Sequence, residues 1–103
     1  MRIIAKRRLR EYWQAHPDTE QALKAWFADT EAADWKTPGD VKRAFGDASI
    51  VGNERVVFNI RGNNYRLVVA VDYEDGAVLT KWIGTHREYN AIDVETVGRI
   101  ISK

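Results

Sequence analysis

The chain reads as an α+β domain, an N-terminal helix hairpin packed on a three- to five-stranded, mainly antiparallel sheet. Three observations carry this. Apolar residues in the first half recur at helical spacing. From residue 48 onward, β-branched and aromatic residues alternate, and the segments between them hold the Gly and Asn residues that hairpin turns require. With 103 residues and no repeat, linker or low-complexity stretch, residues 1–103 form a single domain.

A short strand at Arg2–Ile4 precedes a helix whose stripe, Ala5, Leu9, Tyr12, Trp13 and His16, falls at i, i+4, i+7, i+8 and i+11. Pro17 stops that helix and is tolerated in the first turn of the next. Ala22, Leu23, Trp26 and Phe27 make the second stripe, with Asp18 and Glu20 near the positive end of its dipole. The tight turn predicts an antiparallel pair in which Trp13 and Trp26 fill much of the contact, so that either Trp→Ala change costs about 3–5 kcal/mol. Thr37-Pro38-Gly39-Asp40 is a helix start: Thr37 accepts from free amides, Pro38 takes the first helical position and Asp40 complements the dipole. A short helix through Val41, Ala44 and Phe45 follows.

Strands are expected at residues 56–61, 65–73 and 78–85, with residues 50–51 or Arg2–Ile4 extending the edges. Tyr65, Leu67, Val69, Val71 and Tyr73 point one way; Arg66, Val68, Ala70 and Asp72 point the other. Residues 93–101, with Val94, Val97, Ile100 and Ile101, are expected to form a short closing helix.

Composition narrows the chemistry. Cysteine is absent, which excludes disulfides, thiolate metal sites and Cys nucleophiles. No run approaches the roughly 18 apolar residues of a membrane span, and the start has no signal-peptide core, so a cytoplasmic location without membrane contact is expected. Sixteen basic against fifteen acidic residues give +1, too little for strong non-specific nucleic-acid binding through net charge. The distribution is uneven: Arg2, Lys6, Arg7, Arg8 and Arg10 adjoin an acidic stretch from Glu11 to Asp34. That pattern reads either as two solvated faces that attract one another or as a patch for an anionic partner.

Of the two histidines, His16 precedes Pro17 at a helix end and suits a cap or a solvated surface. His86 lies where the last strand meets a loop, in Thr85-His86-Arg87-Glu88-Tyr89, where an imidazole can be exposed yet held, able to take or give a proton or only to bond a carbonyl. Arg66 opens the central strand on the face opposite Tyr65 and Leu67, partly shielded by Val68 and Ala70, where a fixed guanidinium binds phosphate bidentately. Arg61 ends the preceding strand and Lys81 lies on the next; these cations equally suit a solvated outer face. As a surface group, Arg66 is expected to be replaceable by alanine with little effect on folding. If His86, Arg66 and Tyr89 meet, they suit phosphodiester cleavage: His or Tyr moves a proton and Arg neutralises the phosphorane charge. No metal-ligand spacing, Gly-rich phosphate loop or Ser-His-Asp grouping is present, and no cofactor is expected.

The phrase Phe58-Asn59-Ile60-Arg61-Gly62-Asn63-Asn64-Tyr65-Arg66-Leu67, followed by Thr85-His86-Arg87-Glu88-Tyr89, resembles the HigB-type toxins, a branch of the RelE/ParE superfamily of toxin–antitoxin systems. The resemblance spans roughly residues 3–92, including the Trp35-Lys36-Thr37-Pro38 stretch. It implies an endoribonuclease (an mRNA interferase) acting on messages in the ribosomal A site, with attack by the substrate's 2′-hydroxyl leaving a 2′,3′-cyclic phosphate and no metal. It further implies a HigA-type antitoxin with a helix-turn-helix domain, through which the toxin reaches operator DNA. By motif position His86 carries over as the acid/base, Arg66 as the phosphate-stabilising residue and Tyr89 as a helper that orients or stacks a base. Asn63, Arg61, Lys81 and Arg87 would line the RNA groove.

The alternative is a non-catalytic relative that serves as antitoxin partner and co-repressor or inhibits another target. A DNA-binding protein in its own right fits less well, because the helices at 18–28 and 38–45 are joined by too long a segment for a helix-turn-helix.

Overall fold

The computed structural model describes residues 1–52 and 54–98. β1 (Arg2–Ile4) leads into α1 (Lys6–Ala15), a short 3-10 turn at Pro17–Thr19, α2 (Glu20–Ala32) and α3 (Pro38–Ala44). β2 (Ser49–Val51), β3 (Arg55–Ile60), β4 (Tyr65–Asp72), β5 (Ala77–Thr85) and α4 (His86–Tyr89) follow. The sheet order is β1-β5-β4-β3-β2. Every pairing is antiparallel except that of β1 with β5. The expected meander is therefore present, and both candidate edge segments join it.

Alternation along β4 sorts the sheet into two faces. Leu67, Val69 and Val71 join Val56, Phe58, Ile60 and Val78 beneath the helices, where Leu9, Leu23, Trp26, Trp35 and Val41 close the core. Phe58 is its aromatic hub, with ring centroids of Phe45, Trp26 and Trp35 at 5.0, 5.4 and 6.1 Å. Thr37 and Asp40 form a capping box that starts α3, as the sequence suggests. Its carboxylate accepts the Lys36 and Thr37 amides and the Arg43 guanidinium. The Asp40 pKa is held below the usual carboxylate range, first by the Lys36 amide.

Three expectations change. Trp13 does not fill the helix–helix contact: it is half-buried with the Lys24 ammonium 5.6 Å from its ring, while Trp26 turns inward onto Phe58. Ala5 is not part of the helical stripe; it is exposed, with a φ of 67° that turns the chain from β1 into α1. In place of a closing helix, residues 94–98 form turns in which Val97 N–H reaches Asp93 without a second helical turn; residues 99–101 lie outside those described. A long helix is disfavoured here because this segment's carbonyls are taken elsewhere. Arg55 on β3 donates to the carbonyls of Val97 at 2.6 Å and Val94 at 3.4 Å.

Gly98 approaches the Lys81 backbone on β5, so the segment crosses the outer face of β4, which runs between them. Val57, Val68 and Ala70 are accordingly buried on that side too. Near Lys81 the β4–β5 register slips, Val68 opposing Trp82 and Val69 opposing Thr80, so Lys81 is the extra residue of a bulge. β1 ends opposite Leu79, and beyond it α1 borders β5: Arg8 Nη1 donates to the Lys81 carbonyl at 2.8 Å. Among the described residues no helix is long and apolar enough to cross a membrane.

Candidate active site

The turn between β3 and β4 builds the first part of the site. Arg61 and Gly62 both adopt positive φ, 52° and 63°, the left-handed geometry that returns a tight hairpin. This sets Asn63 beside Arg66. The Asn63 side-chain oxygen accepts from Arg66 Nη2 at 2.9 Å and its carbonyl from Nη1 at 3.0 Å, while the Tyr65 carbonyl takes Nη1 at 3.2 Å. The β4–β5 register then places Thr85 opposite Tyr65, so that the next residue, His86, faces the turn, and its backbone N–H is held by the Asn64 carbonyl at 2.9 Å. Thr85 caps α4 through a capping box with Glu88, which fixes the direction of the chain at His86.

The two side chains meet. Arg66 Nη2 lies 2.7 Å from His86 Nδ1. A guanidinium only donates, so Nδ1 accepts and the ring proton resides on Nε2. Arg66 is 9% exposed, whereas His86 and Asn63 are exposed. A buried cation thus reaches the surface through groups that water or a ligand can replace. Burial corrects the expectation of a surface Arg66: it shares the outer face of β4 with the buried Val68 and Ala70, and its donors are engaged.

The other expected residues disperse around this pair. Tyr89 lies three residues beyond His86 on α4, with its ring 6.3 Å from the Trp82 indole. Arg87 is exposed beside His86. Lys81 sits at the bulge, half-buried. Arg61 is directed to the other side of the turn, onto Asp18 at 3.4 Å, where the Tyr65 hydroxyl also donates to Asp18 at 2.7 Å. That hydrogen bond, foremost, raises the Tyr65 pKa. Tyr65 meets Tyr12 edge-on at 6.1 Å, and Tyr12 stacks on His16 at 4.1 Å. Burial above all, with the nearby charge of Glu88, pushes the Tyr12 pKa up to about 12. His16 caps α1, its amide bonding the Tyr12 carbonyl at 2.8 Å, the modest role its position suggests.

Two contributors escape sequence reasoning. The Asn64 carbonyl is one, although pairing the strands outward from the turn would have set it opposite His86. Trp82 is the other, since an aromatic residue in a strand reads first as core.

An exposed imidazole held by a buried guanidinium can bind a phosphate and exchange a proton beside it. Comparison with known proteins supplies the family. The chain is 27% identical over 94 residues to the mRNA interferase HigB of Escherichia coli O6:H1 (strain CFT073), covering 89% of this chain and 91% of that protein. Residues 19–92, which hold α2, α3, the meander and both Arg66 and His86, match the HigB toxin family, described as the RelE-like toxic component of a toxin–antitoxin system, and the chain belongs to that family.

Proposed function

We propose that this toxin is an endoribonuclease that cleaves messenger RNA, with Arg66 and His86 as its reacting pair. The observation that carries the reading is the 2.7 Å contact between the Arg66 guanidinium and His86 Nδ1, at an exposed end of an otherwise covered sheet face. The relative described as an mRNA interferase supports the substrate class. In the reaction the substrate's 2′-oxygen attacks the adjacent phosphorus and the bond to the 5′-oxygen breaks, leaving a 2′,3′-cyclic phosphate and a 5′-hydroxyl. The proton lost from the 2′-hydroxyl is balanced by one gained at the leaving oxygen, and His86 carries the proton. Arg66 holds the non-bridging oxygens, where its fixed charge is most useful as the phosphorane forms. An arriving phosphate takes the donors that now rest on His86 and Asn63, which frees the imidazole at the moment it is needed. Tyr89 orients a base, and Asn63, Lys81 and Arg87 line the path of the strand; Arg61 joins them by leaving Asp18.

The strand is presented in the ribosomal A site, and a HigA-type antitoxin with a helix-turn-helix domain neutralises the toxin and carries it to operator DNA. The test is induction in bacteria with mapping of new 5′ ends, alongside cleavage of a message by purified protein with and without ribosomes. His86→Ala is expected to lower the cleavage rate by about 10²–10⁴-fold. Growth arrest that persists in both Arg66→Ala and His86→Ala, with no new cut sites in any of the three proteins, would leave a non-catalytic binding module.

A further inference from the structure

Trp82 is a half-buried indole at the border of the site. Gly84 stands across the ladder from Arg66, and glycine is poorly suited to a strand interior unless something comes close. What comes close is Trp82. A Cβ on Gly84 would lie 2.5 and 2.6 Å from its Cη2 and Cζ2 atoms and 2.9 Å from Glu88 Oε1. The missing side chain lets the indole rest against the strand beside the Arg66 pairing position, with Tyr89 on its flank at 6.3 Å. Away from the site, Trp82 closes a groove of about 380 Å³ between α1 and β5, lined also by Arg8, Glu11, Tyr12, Lys81 and Ile83.

Charge indicates what this surface receives. Lys6, Arg7, Lys24, Lys36, Arg43 and Arg61 all hold carboxylates. Of the described cations without such a partner, Arg8 and Lys81 line this groove, and the groove's acid, Glu11, is engaged by Arg7 at 3.6 Å. An aromatic plate next to a phosphate-binding guanidinium, continued by two cations that no carboxylate neutralises, matches single-stranded nucleic acid, in which bases stack and phosphates follow a basic track. A peptide strand added to the β5 edge fits less well, because the Lys81 carbonyl it would use is already bonded to Arg8.

Resting on the nuclease reading, we propose that Trp82 is the stacking platform for the nucleobase flanking the scissile phosphodiester, with Arg8 and Lys81 beyond it on the sugar–phosphate backbone. Wild-type protein is used first to map its cut sites on a message. A mapped site is then synthesised with 2-aminopurine beside a scissile nucleotide blocked by 2′-deoxy substitution, and offered free and on ribosomes. Binding is expected to quench the 2-aminopurine. Trp82→Leu keeps apolar cover over Gly84 without a π-face; it is expected to abolish the quench and raise KM about tenfold with a smaller change in kcat. Trp82→Phe recovers most of both. Gly84→Ala, which keeps the indole but displaces it, reproduces the loss. Unaltered quench and KM in Trp82→Leu, with wild-type cleavage intact, would overturn the platform and leave the nuclease standing. A wild type that neither binds nor cleaves RNA would remove the nuclease reading and the platform with it. Weakened antitoxin binding in Trp82→Leu with unaltered RNA kinetics would make this a protein-docking face and overturn the proposal.

Discussion

Two arginines are buried on the same outer face of the sheet, at opposite ends of adjacent strands: Arg55 opposes Ala70, and Arg66 opposes Asn59. Their exposures are alike, 6% and 9%. What differs is where the donors end. Those of Arg55 stop on two backbone carbonyls of the segment that crosses the face. Those of Arg66 reach, besides carbonyls, the side chains of Asn63 and His86, both exposed. Burial alone therefore does not separate a fastening from a site. The exchangeability of the partners does, because a carbonyl in a packed crossing cannot be replaced by substrate and an exposed imidazole can.

Substitutions can break that distinction. The largest expected effect is on catalysis: Arg66→Ala lowers the rate of message cleavage by about 10²–10³-fold, and Arg55→Ala, assayed where it is folded, changes kcat by less than about twofold. A comparable loss in both would mean that the crossing segment belongs to the site. In urea unfolding the order reverses. Arg55→Ala costs about 2–4 kcal/mol, because two carbonyls lose their partner under the crossing, whereas Arg66→Ala costs about 1–2 kcal/mol since water reaches its acceptors. Asn63→Ala sharpens the contrast, with an expected loss of roughly tenfold or less in cleavage and an unchanged melting temperature, as it only steadies the guanidinium.

The smallest effect is read with pH. The folded chain holds Tyr12 protonated up to about 12, above the ordinary value of 10.0, so the unfolded chain ionises first. Stability is thus intact below pH 10 and declines from there towards 12, and Tyr12→Phe is expected to flatten that decline in melts across the window. A decline of equal slope in the variant would place its source elsewhere.

Much of the fold was legible because alternation and turn chemistry are local. The three meander strands, the Thr37 cap and the opposite facing of Arg66 and Leu67 follow from spacing alone. The meeting of Arg66 and His86 was legible only through the two motifs taken together. Features set by distant packing were not. Trp13 and Trp26 look equivalent along their helices, yet only Trp26 finds Phe58, so Trp26→Ala keeps the expected cost of about 3–5 kcal/mol and Trp13→Ala falls well below it. The direction of Arg61 depends on Asp18, 43 residues away. The turns at 94–98 depend on Arg55, 42 residues from Val97. Such pairings leave no periodic trace.

The short first strand has a last consequence. Because it stops opposite Leu79, the remainder of β5 would offer an open ladder to a neighbouring molecule, the usual seed of aggregation. The Arg8 side chain occupies the Lys81 carbonyl in that gap, and the bulge at Lys81 bends the row out of register. A residue that sequence alone counts among many basic ones thereby works as a stopper for one acceptor of that exposed ladder.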